Sequence, residues 1–393
     1  MPSPTAPTAQ RTGDAFRRVD WLELFFDLVF VVIVKQLTDL LHGDPGVDDF
    51  LLVAGILVLV WAAWLNVVTF VNMVGGTPGG ARVPVLVSMA GVGLIAVSIP
   101  EVTGDGAPLF AIGYAVARVA IWPVWVRARR RSGRGALRPT LYGPGIAVLW
   151  LASIAVPDGY RLWVWAALVV AEMAIVATGL KGTRFIAGHL IERVGLFTMI
   201  VLGESLVELI LAIDIGQSAT AWIISALGFS IICSFWWLYF AAGAPVTERV
   251  LGRADAVDAS DGVGAHATHV VAVLRDVLGV AHYVIVLGLI GVAAGLGGAI
   301  EQADGARLAF GTLVALCGGT ALYHAAQVLI AWRYGLPMRL LLVWGVLSIA
   351  ISAFVIAFGA GWAPWVVVTV MLVDTVLHLA TGPLVARRVR TRT

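Results

Sequence analysis

The chain has 393 residues, 60% of them hydrophobic and only 13% charged, with a formal net charge of +2. A soluble globular domain is nearer half apolar and a quarter charged, so the mean hydropathy of +0.94 excludes a cytosolic enzyme, a disordered chain and a nucleic-acid binder. The excess apolar surface calls for lipid as its solvent. Cys233 and Cys317 both lie in apolar runs and read as buried thiols, since neither a disulfide framework nor a zinc spacing is present.

In chain order, residues 1–18 are rich in Pro, Ser and Thr and carry Arg11, Arg17 and Arg18. They read as a disordered basic tail with no cleavable signal pattern. A bilayer-crossing helix needs roughly 20 apolar residues. Such runs recur near 21–41, 49–74, 84–101, 108–127, 141–157, 161–180, 189–213, 219–242, 273–299, 307–332, 339–358 and 362–384. The expected fold is therefore an all-α integral membrane protein with about twelve transmembrane helices. The loops between the runs alternate in charge. Of the 26 basic residues, only Arg161 and Arg307 fall on one side, while Lys35 and Arg118 lie within spans. Because positive charge stays cytoplasmic, this alternation places both termini inside. Residues 387–393, with Arg387, Arg388, Arg390 and Arg392, read as a basic C-terminal tail.

The second half can be laid on the first. A shift of about 169 brings Glu23 to Glu192, Lys35 to Glu204 and Asp39 to Glu208. A shift of about 202 brings Trp163 to Trp365 and Glu172 to Asp374, and one of about 206 brings Arg118 to His324 and Arg127 to Arg333. We read two six-helix repeats, 19–182 and 183–386. An even number of spans in each makes them parallel, related by an axis along the membrane normal.

Ionisable side chains inside spans are expensive and mark pathways or partners by default. In the first span Glu23, Asp27, Lys35 and Asp39 recur at multiples of four, so they share one broad helix face. That face is either the lining of an ion or proton path or a set of structural ion pairs, Lys35 with Asp39 or Asp27. Glu204 lies about halfway along the seventh span with Glu208 one turn later. It is either a proton or cation site or a partner of Lys35 or Arg118. Glu172 and Asp374 are further candidates, and Asp374 and His378 are one turn apart and could pair. His189 and Glu192, at i and i+3, could touch a metal only with further ligands. An interfacial charge cluster with Arg193 and Arg184 is the plainer reading, so no metal is assigned. His282 and His324 read as satisfied core histidines, and His266 and His269 as solvated loop residues. Among the fifteen tryptophans, Trp21, Trp163 and Trp362 fit an aromatic belt, whereas Trp61, Trp64, Trp236 and Trp237 are more interior and read as packing. Gly291-Val-Ala-Ala-Gly295 is a small-xxx-small face for close helix contact. No P-loop, dinucleotide fingerprint or nucleophile elbow occurs.

Glu23-Leu-Phe-Phe-Asp-Leu-Val-Phe30 and His189-Leu-Ile-Glu-Arg-Val-Gly-Leu-Phe-Thr-Met-Ile-Val-Leu-Gly-Glu-Ser205 closely resemble the two signature stretches of the bacterial low temperature requirement protein A family. The resemblance implies an integral membrane protein and picks out Glu23, Asp27, Glu192, Arg193, Gly203 and Glu204. Lys35 departs from the small or uncharged residue expected there, which argues against a simple cation path along this helix. Phe25-Phe26-Asp27 is also similar, more loosely, to the Phe-Ser-Asp motif of two-repeat potassium channels.

The expected function is a membrane transporter or ion channel, proton-linked, in a bacterial inner or plasma membrane. Its partners are the lipid bilayer and an ion or small solute, with no cofactor and no nucleic acid. A structural or regulatory role in cold adaptation, or an intramembrane enzyme acting on lipid or quinone, is the alternative.

Overall fold

A computed structural model gives the fold and describes residues 19–74, 79–131, 133, 135–179, 186–250, 273 and 275–390. The expected N-terminal tail, the extreme C-terminus from 391 and the loop histidines His266 and His269 lie outside the described residues. Regular structure among the described residues is entirely helical. The chain forms α1 (Trp21–Asp39), α2 (Val47–Val74), α3 (Gly79–Ser98) and α4 (Ala107–Arg131). A broken segment then combines α5 (Leu137–Thr140), a π turn (Leu141–Gly145), α6 (Ile146–Ala152) and a 3-10 turn (Ser153–Ala155). α7 (Asp158–Gly179), α8 (Ala187–Leu211) and α9 (Ala219–Trp236) follow. The last four are α10 (His282–Glu301), α11 (Phe310–Arg333), α12 (Met338–Phe358) and α13 (Pro364–Arg390).

These are twelve helical segments, one for each expected span. Nine of them, among the described residues, are long and apolar enough to cross a membrane, so the chain is a multi-pass membrane protein. The remaining three are α1, with its four ionisable residues, the broken segment at 137–155, and α7. The span expected at 141–157 is helical but departs from α register over Leu141–Gly145, a π stretch that holds Pro144. Proline lacks an N–H and cannot close the regular ladder. The wider π register absorbs the defect. At the other end of the chain, α13 continues to Arg390, so the expected basic tail begins as helix.

α10 is the central element. Its residues are apolar all round and buried almost throughout, the signature of a helix enclosed by others. It packs on α11, α8, α9 and α1. Glycines set the closest crossings. A Cβ on Gly288 would lie 2.6 Å from the Gly319 carbonyl oxygen, and one on Gly319 would lie 2.5 Å from that of Gly288. The expected small-residue face at Gly291 and Gly295 takes part, with Gly295 against the backbone of Leu316. The α3–α4 crossing is built the same way. A Cβ on Gly91 would meet the Gly113 oxygen at 2.7 Å, and one on Gly113 the Gly91 oxygen at 2.6 Å. Gly319→Leu should therefore force α10 and α11 apart and cost at least about 1–3 kcal/mol, the range for overpacking a tight core. Thermal melts of detergent-solubilised protein would show a clear drop in Tm.

Trp21 and Trp163 are 85% and 77% exposed, in keeping with an aromatic belt. Trp61 and Trp64 stack on one another at 4.9 Å, and both pack edge-on against Phe197 of α8. Two expectations are corrected. Trp236 and Trp237 lie on the outer surface rather than inside, and the Cys233 thiol is exposed whereas Cys317 is buried. All three exposed residues belong to the end of α9 or the turn after it. Lipid tails are as apolar as a core, so hydropathy cannot tell the two faces of such a helix apart.

Candidate functional site

The first cluster joins α1, α2 and the start of α8. Arg193 donates through Nη1 to Glu23 Oε2 at 3.1 Å and through Nη2 to Asp27 Oδ1 at 2.6 Å. Trp64 Nε1 donates to the same Asp27 oxygen at 2.8 Å. The Arg193 guanidinium lies 6.0 Å from the Trp64 ring centroid, within reach of a cation–π contact. His189 Nε2 is 2.9 Å from Glu23 Oε2, and its Nδ1 is 3.2 Å from Asn72 Nδ2. The proton position follows from the partners. The Ile186 N–H donates to Asn72 Oδ1, which makes Asn72 Nδ2 the donor to Nδ1. His189 therefore holds its proton on Nε2, is neutral, and donates to Glu23. Glu23, Asp27, Asn72, His189 and Arg193 are all buried.

The second cluster lies at the far end of α1, about 12 Å along the helix from the first at roughly 1.5 Å per residue. Lys35 donates to Asp39 and pairs with Glu208 Oε1 at 2.8 Å. His42 Nε2 is 3.4 Å from Glu208 Oε2, and its Nδ1 is 3.6 Å from Asp39 Oδ1. Asp39 is 43% exposed, whereas Glu208 is buried. Glu204 lies one turn before Glu208 on α8, within electrostatic reach of Glu208, Lys35 and Asp39. It is buried, and its Oε1 has no hydrogen-bond partner. The arrangement is a half-open mouth with three carboxylates and one ammonium. Ligand atoms of Asp39, His42 and Glu208 lie within 4.8 Å of one another. A carboxylate–imidazole set of this kind suits a divalent cation, but Lys35 already bridges two of its members.

Two more acid–base pairs are buried inside the halves. In the first half, Arg118 pairs with Glu172 and donates to Tyr114. It also donates to the Tyr142 hydroxyl at 2.7 Å, while Trp150 Nε1 donates to Glu172 Oε1 at 3.0 Å. In the second half, His324 Nδ1 lies 3.6 Å from Asp374 Oδ2. The His378 ring stacks on His324 at 4.0 Å, and its Nδ1 is 3.0 Å from Ser348 Oγ.

The candidate residues thus fall into four separate groups. The shared face of α1 is real, but its two ends serve different clusters. Asp27 pairs with Arg193 rather than Lys35, and Arg193 is a buried ion-pair member rather than an interfacial base. Lys35 pairs with both Asp39 and Glu208. Neither Lys35 nor Arg118 forms an ion pair with Glu204. His189 is buried while Glu192 is exposed, so the two do not converge on a metal. Gly203 is exposed, and a Cβ there would meet nothing within 4 Å. Asp374 Oδ2 approaches His324 rather than His378. His282 is satisfied as expected: its Nδ1 donates to the Val277 carbonyl at 2.7 Å, and its Nε2 accepts from Tyr239 at 2.9 Å. Asn72, Trp64 and His42 were not legible as participants. Asn72 is one of two amides in an apolar run, with Asn66, and His42 follows Asp39 by three residues.

Comparison with known proteins places these motifs. A protein from Rhizobium meliloti (strain 1021), named only as uncharacterized protein RA0937, is 24% identical over 237 residues, covering 56% of this chain and 58% of that protein. The chain therefore spans little more than half the length of that relative. No solved structure matches. The family described as bacterial low temperature requirement A protein (LtrA) matches residues 18–376, nearly the whole chain and both motif stretches. The chain belongs to the bacterial low temperature requirement A family.

Proposed function

We propose that this protein is a transporter or ion channel of a bacterial cytoplasmic membrane, proton-linked, and not an enzyme. The observation that carries this reading is the half-open mouth. Glu204 and Glu208 are carboxylates inside an apolar helix, reached from the surface through Asp39 and His42, with Lys35 as a tethered counter-cation. A mobile ammonium on a four-carbon stem can withdraw when a proton or cation enters, which is what a coupled site needs. Carboxylates at such depth usually line a pathway. The Glu23–Asp27–Arg193–His189 cluster is a closed lock in this reading, joining the two halves beside the path.

Twelve crossings and cytoplasmic termini accord with the charge alternation. Two parallel repeats are supported by matching geometry. The pairs Arg118–Glu172 and His324–Asp374 correspond at the offsets read from the sequence, 206 and 202, and the Gly91–Gly113 and Gly288–Gly319 crossings correspond with Gly113 and Gly319 at 206 and Gly91 and Gly288 at a shorter offset. The partners are the bilayer and an ion or small solute. A regulatory role is the second reading, favoured by the fact that the family's first signature stretch is consumed by the lock.

Proteoliposomes loaded with a pH-sensitive dye test this. Glu204→Gln should reduce pH-gradient or potential-driven flux at least roughly tenfold, equivalent to about 1.4 kcal/mol in a barrier, with melting temperature retained. Unchanged flux for every monovalent ion tested would sink the transport reading.

A further inference from the structure

The two halves neutralise their buried acid differently. Glu172 is fully buried and faces Arg118, also buried, whose positive charge is permanent. At the corresponding place Asp374 is fully buried and faces a histidine. Among the described residues no lysine or arginine pairs with Asp374. Trp150, which donates to Glu172, is answered at an offset of about 202 by Ser352, a much smaller side chain.

The consequence is a set of unused polar atoms. Both carboxylate oxygens of Asp374, both ring nitrogens of His324, His378 Nε2 and Ser352 Oγ are buried without a hydrogen-bond partner. Ser348 and Ser352 of α12 lie beside the carboxylate without closing a bond of normal geometry. Buried polar groups are nearly always satisfied, and a cluster of exceptions points to a guest. An ionised carboxylate in such a place must acquire a counter-charge. The surrounding groups name which one. From α11 come His324 and Cys317, from α13 His378, from α12 only hydroxyls and the Trp344 ring, and from α9 the Phe235 ring. Imidazole nitrogens are poor ligands for alkali ions but good proton acceptors. His378 is engaged with Ser348 and Trp344 and does not converge with Asp374 on a metal-sized site.

We infer that Asp374 and His324 form an exchangeable proton-binding site specific to the second half, whose counterpart in the first half is locked by Arg118. The proton is taken from the aqueous buffer and returned to it. Only an O–H or N–H bond is made or broken. The inference deepens the proton-linked reading above but does not depend on flux, because it is an equilibrium property.

The test is infrared difference spectroscopy on the full-length protein in lipid nanodiscs, stepped between acidic and alkaline buffer in H2O and D2O. A protonated-carboxyl band should appear on acidification. It should be lost in Asp374→Asn, shifted in His324→Gln and in Ser352→Ala, and retained in Arg333→Gln, which lies outside the cluster. If Asp374→Asn does not fold, the two shifts carry the test. A band that none of the three variants alters would overturn the inference. So would one that answers to Na+, K+ or Zn2+ at fixed pH, since a bound metal cation would then be the counter-charge. Silent proteoliposomes alongside a titrating Asp374 would defeat transport and leave this site standing.

Discussion

Arg193→Met is expected to destabilise the protein by about 3–5 kcal/mol, the penalty for removing one partner of a buried ion pair. Arg193 is the sole arginine or lysine bonded to Asp27 among the described residues, and it also neutralises Glu23. Without it two carboxylates remain buried a turn apart. Among the described residues Asp27 then keeps the Trp64 N–H, a neutral dipole. Stability of this size is comparable with the whole margin of many domains, so little folded protein should survive extraction. Fluorescence-detected gel filtration and thermal melts would measure the loss. A triple variant that also carries Glu23→Gln and Asp27→Asn should recover much of it, because the uncompensated charge, not the missing attraction, is the larger part of the cost. If Arg193→Met melted like the wild type, the lock would have no structural weight.

Arg118→Met should cost a similar amount, about 3–5 kcal/mol, and for the same reason. It strands Glu172, whose remaining donors are the Tyr114 hydroxyl, at 2.8 Å, and Trp150. These are neutral dipoles and supply no counter-charge. The paired change Arg118→Met with Glu172→Met removes both ions and should restore most of the stability, since a buried pair contributes little over apolar packing of the same volume. His324→Met in the second half should be markedly milder if Asp374 takes up the proton inferred above, since a neutral carboxyl needs no counter-charge. Thermal melts of the three proteins under one buffer decide this. Equal losses for Arg118→Met and His324→Met would mean that the two halves are neutralised in the same way.

Local chemistry carried much of the reading. Each apolar run became a helical segment, because about 20 apolar residues have few alternatives in lipid. The shared face of Glu23, Asp27, Lys35 and Asp39 followed from helical periodicity. The close approach at Gly291 and Gly295 followed from the absence of side chains. The run near 141–157 became helix with a π stretch at Leu141–Gly145, which holds Pro144.

Partnership was a different matter. Asp27 meets Arg193 across 166 residues and Trp64 across 37. Nothing in one helix's period says which neighbour stands opposite. Cys233, Trp236 and Trp237 show the same limit for burial, since lipid and core are equally apolar. The amino-acid sequence by itself determined a multi-pass helical membrane protein and the motifs of its family. Only the tertiary structure decided which charges neutralise which, because an ion pair in a low-dielectric bundle is set by helix adjacency over a few ångströms, and that adjacency is a property of all the packed helices together.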